Sequence, residues 1–155
     1  MNLQRLDIIL GCMFSGKTTE LVNRIRKALL IYDNVLIINN NIDTRYEKDG
    51  SICSHDSQKI KAISTDYLEK IKNRMEYKNA SVIFIDEAQF FPDLKDFVLE
   101  AVETHDKWVT ICGLDGDFER NKFGQILDLI PYSDTIHKTT ALCLRCKDGT
   151  PAIFS

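Results

Sequence analysis

No apolar run in this chain of 155 residues approaches the roughly eighteen that a membrane-spanning helix requires, so membrane insertion is not expected. A secretory leader is not expected either. Met1-Asn2-Leu3-Gln4-Arg5 runs directly into the apolar stretch Leu6 to Leu10, which reads as a core strand, and a cytoplasmic or similarly reducing location is expected. The five cysteines are odd in number and unevenly spread, with only Cys143 and Cys146 close together, which argues against a disulfide framework. An excess of basic charge is absent too. With 20 Lys and Arg against 23 Asp and Glu, the formal charge is −3 and the lysines are scattered among acids, so nucleic acid is not an expected partner. The sequence shows no internal repeat or low-complexity tract. Its length suits one domain, and any substrate site must then be built from loops.

What the chain does carry is Gly11-Cys12-Met13-Phe14-Ser15-Gly16-Lys17-Thr18, a match to the G-x-x-x-x-G-K-[ST] phosphate-loop pattern. Each residue type there has a physical task. The glycines Gly11 and Gly16 let backbone N–H groups crowd around phosphate, Ser15 lies within the cradle, the Lys17 ammonium reaches the terminal phosphates, and Thr18 offers a hydroxyl to Mg²⁺. The context agrees: a strand precedes the loop, and Thr19 to Ile31 continues as a helix with Leu21, Val22, Ile25, Leu29 and Leu30 at helical spacing. That helix N-terminus would face the phosphates. The loop implies binding of a nucleoside triphosphate.

Beyond it, Asp33-Asn34 breaks the pattern and Val35 to Ile38 supplies a second buried-strand run. Asn39 to Gln58 is polar, with turn formers at Asn39-Asn40-Asn41 and Asp49-Gly50. A loop so long is commonly functional or mobile. Asp43-Thr44-Arg45-Tyr46 and His55-Asp56 make it a candidate neighbour of substrate or metal, with an ordinary surface loop as the equal alternative. Asp66 to Tyr77 predicts a helix capped by Thr65, with Tyr67, Leu68, Ile71 and Met75 on one side. Val82 to Asp86 is a third strand, Leu94 to Glu103 a helix opened near Pro92-Asp93, and Trp108 to Gly113 a fourth strand. Gly113 to Gly124 then reads as a polar loop, Gln125 to Ile130 as a helical turn, and Thr135 to Ala141 as a last strand. The fold class is α/β, a phosphate-loop (RecA-like) parallel sheet flanked by helices. In such sheets ligand loops gather at the carboxyl edge, where Gly11 to Thr18, Asp86 to Phe91 and Leu114 to Phe118 all fall.

An aspartate ending an apolar strand is where phosphate-loop enzymes hold Mg²⁺, and Asp86 fits that place. Glu87 follows immediately. It could take the proton of an attacking alcohol or activate water, and these two residues alone leave a kinase and a hydrolase equally open.

The wider set decides between them. Gly11-x-Met13-Phe14-Ser15-Gly16-Lys17-Thr18, Asp86-Glu87-Ala88-Gln89-Phe90-Phe91, Gly113-Leu114-Asp115-Gly116-Asp117-Phe118-Glu119-Arg120 and Phe123-Gly124 together resemble the cellular-type (type II) thymidine kinases. Asp43 to Tyr46, His55-Asp56 and Cys143-x-x-Cys146 extend the resemblance over nearly the whole chain. It implies transfer of the γ-phosphoryl of ATP to the 5′-hydroxyl of thymidine, with deoxyuridine as a secondary substrate. It also implies that Glu87 is the general base, that Thr18 and Asp86 serve Mg²⁺, and that Met13, Phe90, Leu114 and Phe118 form the base pocket. Aromatic and thioether faces suit a flat pyrimidine. Phe91 reads as core, Arg45 and Arg120 as solvated residues that could instead steady phosphate, and His55 as structural. A homotetramer and feedback inhibition by thymidine triphosphate (dTTP) are further family expectations.

The match thins at the C-terminus. Members of the family carry a structural zinc with two paired-ligand segments, and only Cys143 and Cys146 stand here, with Cys12, Cys53 and Cys112 placed elsewhere. A tetrahedral zinc wants four ligands. We therefore read residues 1–141 as the nucleotide-binding core and 142–155 as the start of a zinc-ribbon-like, base-covering segment that is incomplete. The expectation is a sequence truncated relative to the natural protein. A chain naturally ending at Ser155 would bind ATP with weak or no nucleoside kinase activity, as would two rivals, a plain ATPase and a catalytically silent nucleotide-binding subunit.

Overall fold

The computed structural model describes residues 3–40, 51–53 and 59–155. Its centre is a sheet whose six strands all run parallel: β1 (Arg5–Gly11), β2 (Val35–Asn40), β5 (Ile63–Thr65), β6 (Val82–Ile85), β7 (Trp108–Gly113) and β8 (Thr135–Thr139). The spatial order is β5-β2-β6-β7-β1-β8. A strand buried on both faces reads as a continuous apolar run, and for that reason Val82 to Ile85 and Ile8 to Leu10 lack polar alternation.

The pleat still sorts the side chains. Leu6, Ile8, Leu10, Leu36, Ile38, Ile83, Ile85, Val109 and Ile111 join one core layer, and Ile9, Ile37, Phe84 and Cys112 the other. Helix α1 (Lys17–Leu29) covers the second layer through Leu21, Val22, Ile25 and Ala28. Leu29 and Leu30, expected to share that face, are exposed, because Ala28 occupies the position nearest the sheet as the helix closes at Leu30. The opposite layer is covered by α2 (Met75–Asn79), by α3 (Leu94–Leu99), which runs on as a wider-wound turn over Glu100–Thr104, and by a 3-10 turn at Leu127–Tyr132.

Three expectations need correction. The helix predicted over 66–77 is instead a 3-10 turn, Leu68–Ile71, followed by the separate α2; Leu68 and Ile71 are buried, but Tyr67 and Met75 are exposed. Thr65 ends β5, and its hydroxyl donates to the Tyr67 carbonyl at 2.9 Å. Asn39 and Asn40, read as turn formers, are the buried last residues of β2, with Ser64 donating to Asn39 Oδ1 at 2.5 Å across to β5. The final strand stops at Thr139. Residues Ala141–Leu142 (β9) instead pair antiparallel with Pro151–Ala152 (β10), making a small hairpin beyond the sheet. A second hairpin, β3 (Ser51–Cys53) with β4 (Lys59–Lys61), was not foreseen. Asp43, Thr44, Arg45, Tyr46, His55 and Asp56 lie outside the described residues.

At the amino end of the sheet, Asp7 joins three neighbouring strands. Its buried carboxylate accepts from Arg5 Nε at 2.9 Å, Trp108 Nε1 at 2.7 Å and Thr135 Oγ1 at 2.5 Å. Burial pushes this carboxyl up, but the hydrogen bonds from Arg5, Thr135 and Trp108 outweigh it and hold Asp7 below its ordinary value.

Candidate functional site

Because the sheet is parallel, the loops after β1, β6 and β7 emerge along one edge. In register, Ile85 pairs with Ile111, and Cys112 pairs with Ile9 on the far side, so Asp86 leaves the sheet beside Cys112 and one strand away from the phosphate loop. Strand β7 stands between them.

The phosphate loop is held by its own short contacts. Ser15 Oγ donates to the Cys12 carbonyl and meets Thr139 Oγ1, both at 2.7 Å, which ties the loop to β8. Lys17 Nζ donates to the same Cys12 carbonyl at 2.7 Å, folded over the cradle that its charge would share with phosphate. Gly16 turns into α1 with φ 84° and open space where a Cβ would lie, so conformation and not crowding asks for glycine there. Phe14 adopts φ 59° with its ring 91% exposed, an unusual conformation for a bulky residue.

The acidic pair is almost fully enclosed, with Asp86 2% and Glu87 7% exposed. Asp86 N donates to the Ile38 carbonyl at 2.9 Å, and Asp86 Oδ1 accepts from Glu87 N at 2.9 Å. Glu87 takes left-handed backbone angles, φ 50° and ψ 41°, as the chain turns into the 3-10 segment Ala88–Phe90. Its Oε2 accepts from Gln89 Nε2 at 2.6 Å, and Gln89 Oε1 accepts in turn from Leu114 N at 3.0 Å. Cys112 lies buried on the strand between this pair and the phosphate loop. Its thiol is pushed well above the usual range, first by burial and then by the Asp86 charge, with Glu87 adding to the rise and Lys17 opposing it.

The predicted pocket side chains are distributed unevenly. Phe90 is half-buried and meets Phe123 edge to face, centroids 5.5 Å apart, and Leu114 is half-buried with its backbone N–H on Gln89. Phe91 is core, as expected. Phe118 is 77% exposed and Met13 36%. Met13 N donates to Ser155 Oγ at 2.8 Å, and Cys12 Sγ lies 3.2 Å from the Ala152 carbonyl, so residues 152–155 run against the phosphate loop. Between that segment and the loop after β7 lies a cavity of about 220 Å³, where Lys138 pairs with Asp115 at 3.0 Å and the exposed Arg120 stacks over Phe154 at 5.1 Å.

Cys143 and Cys146 sit at the turn of the β9–β10 hairpin, where Cys146 N donates to Cys143 Sγ at 3.4 Å. That backbone N–H is the main reason the Cys143 thiol is held below its ordinary value. Among the described residues, no group of three or more His, Cys, Asp or Glu side chains converges as a metal site. Two residues escaped sequence reasoning. Gln89 stood inside a recognised motif without a role, and Phe123 was quoted only as part of the following one; a polar residue two places beyond a strand-end acid was the available signal for Gln89.

A central parallel sheet, a glycine-framed loop closing on a lysine, and a strand-end acidic pair one strand away define a phosphate-loop protein of the α/β class. Residues 4–155 match the family described as thymidine kinase. The chain is 41% identical over 154 residues to the thymidine kinase of Oryza sativa subsp. japonica, covering 97% of this chain and 56% of that protein. It is 40% identical over 142 residues to the cytosolic thymidine kinase of Homo sapiens, covering 92% of this chain and 58% of that protein. Against the thymidine kinase of Variola virus the identity is 39% over 150 residues, with 94% and 80% covered. The chain belongs to the thymidine kinase family. It spans little more than half the length of the plant and human relatives.

Proposed function

We propose that this protein transfers the γ-phosphoryl of ATP to the 5′-hydroxyl of thymidine, giving thymidine monophosphate and ADP, with deoxyuridine as a second substrate. The observation that carries the reading is that the loop bearing Lys17 and the strand-end pair Asp86 and Glu87 emerge at the same carboxyl edge of the sheet, with only strand β7 between them. Glu87 accepts the 5′-hydroxyl proton as that oxygen attacks the γ-phosphorus, and the bond to the bridging oxygen breaks to release ADP. Lys17 gives up the Cys12 carbonyl for the phosphates, and the amides of Gly11 to Thr18 line the cradle. Thr18 and Asp86 are the residues to hold Mg²⁺. Magnesium commonly takes only one or two protein ligands alongside substrate phosphates, so this pair suits it, and the ion when bound would neutralise charge developing on the phosphoryl group.

Phe90 and Leu114, with Met13 and Phe118 moving in from more exposed positions, face the pyrimidine in this reading. Cys143 and Cys146 fit half of a tetrahedral zinc site: two thiols share one turn, and an N–H polarises the first. Residues 1–141 form the kinase core and 142–155 the start of the zinc-binding, base-covering part. A cytoplasmic homotetramer inhibited by thymidine triphosphate completes the proposal by analogy with the family.

The test is ATP-dependent phosphorylation across a nucleoside panel, comparing the chain with Glu87→Gln. Loss of the base should lower kcat for thymidine about 100- to 10,000-fold. Ready turnover by the substituted protein would remove Glu87 from the chemistry, and phosphate release indifferent to thymidine would mark an ATPase instead.

A further inference from the structure

Gln89 is buried, with 4% of its surface exposed, and has no place in the chemistry just described. Both ends of its carboxamide are nevertheless committed. The Nε2 group donates to Glu87 Oε2 at 2.6 Å, and Oε1 accepts from the backbone of Leu114 at 3.0 Å. The amide therefore spans two loops that leave different strands, one carrying the acidic pair and the other the segment assigned to the nucleoside base. Its own position is boxed in. A Cβ on Gly113 would lie 2.3 Å from Gln89 Oε1, and one on Gly124 would lie 2.2 Å from the Gln89 carbonyl, so both glycines leave space that Gln89 fills. Chain reversal at this point needs Glu87 in left-handed angles, a conformation that persists only when surrounding contacts enforce it.

We propose that Gln89 is a positioning residue that fixes the Glu87 carboxylate toward the acceptor hydroxyl and ties its orientation to the backbone of the loop at Leu114. The inference rests on the phosphotransfer reading above. A fixed amide donor on Oε2 sets the orientation of the carboxylate, and rotating it would break a short bond in a buried site. Seating of the nucleoside against Leu114 and alignment of the proton acceptor thus share one side chain.

The test is a double-mutant cycle on kcat for thymidine phosphorylation, using the parent, Gln89→Met, Glu87→Gln and the pair. Gln89→Met keeps length and apolar volume while removing both hydrogen bonds. We expect kcat to fall about 10- to 100-fold, the KM for ATP to stay within about twofold, and the Gln89→Met effect to vanish in the Glu87→Gln background. A residue that merely supports the fold would subtract its cost in both backgrounds. If Gln89→Met does not fold, Gln89→Leu carries the same cycle, since it also removes both hydrogen bonds and adds no charge beside Glu87. Multiplicative losses in the double variant, or a Gln89 variant with parental kcat, would overturn the inference. Absence of nucleoside-dependent transfer in the parent overturns the proposed function itself and the inference with it.

Discussion

Gly113, which ends β7, and Gly116, in the loop after it, should respond very differently to the same added methyl group. At Gly113 a Cβ would lie 2.3 Å from Gln89 Oε1, 2.6 Å from Ile126 Cδ1 and 3.2 Å from the Ala88 amide nitrogen. Ile126 is fully buried but can swing its terminal methyl. Gln89 cannot withdraw without releasing Leu114 N or Glu87. Overpacking of this kind costs about 1–3 kcal/mol. A half-buried Leu114 N–H deprived of its acceptor adds about 1 kcal/mol, at the low end because water can reach that loop. Gly113→Ala should therefore destabilise the protein by about 2–4 kcal/mol. At Gly116 the nearest atom to an added Cβ is the Asn121 carbonyl oxygen at 3.4 Å, an ordinary contact, and no left-handed angle is required. Gly116→Ala should fall within about 0.5 kcal/mol of the parent. Urea denaturation of the three proteins reads both numbers from the midpoints, with unchanged slopes showing that compactness is not altered. Equal midpoints for the two variants would refute the packing account of Gly113 and weaken the case that Gln89 is held rigidly.

Asp7→Leu should cost about 2–3 kcal/mol at neutral pH, because the Trp108 indole N–H and the Thr135 hydroxyl lose a buried acceptor; the Arg5 pair adds little, its side chain being 47% exposed. The folded carboxyl is held below its ordinary 3.8, so its contribution is present above that value and is lost as pH falls through the lowered one. Thermal unfolding of parent and variant should differ at pH 7 and converge toward pH 2, and a gap that stays constant would exclude Asp7 as the titrating group. For the hairpin thiols, metal analysis of the parent should find zinc, and Cys143→Ser should lower the bound amount at least about tenfold at limiting zinc; a parent purified with zinc present yet holding none would end the zinc reading.

The sequence revealed those parts of the fold whose causes are local. A phosphate loop needs particular residue types at fixed spacing, and a strand buried on both faces must be largely apolar, so Gly11 to Thr18, Val82 to Ile85 and Trp108 to Gly113 were legible from residue type and spacing alone. The 66–77 stretch misled because its cause is distant. Tyr67, Leu68, Ile71 and Met75 have helical spacing, but Asp93 from another element accepts from Leu68 N at 3.2 Å and from Glu69 N at 2.9 Å, capping a tight turn there. Strand β5 has three residues, too few for a period, and exists because Ile38 to Asn40 offer an edge to Ile63 to Thr65. Gln89 was invisible as a bridge for a similar reason: its role depends on the left-handed turn at Glu87 and on a partner 25 positions away.

The same division runs through the site itself. The phosphate-loop side is held partly by neighbours in sequence, with Ser15 and Lys17 both bonded to Cys12, and its long ties run to Thr139 at the edge strand and to Ala152 and Ser155. The proposed acceptor side exists only once β6 and β7 have paired, since Glu87, Gln89 and Leu114 meet across two strand ends. A substitution in the phosphate loop can therefore remove triphosphate binding and leave the fold intact, whereas one in the Gln89 bridge touches fold and chemistry together. Stability and turnover should fall in parallel along the acceptor side and separate along the phosphate-loop side. That coupling is also why a kinetic cycle against Glu87, and not loss of activity alone, is needed to assign Gln89 its role.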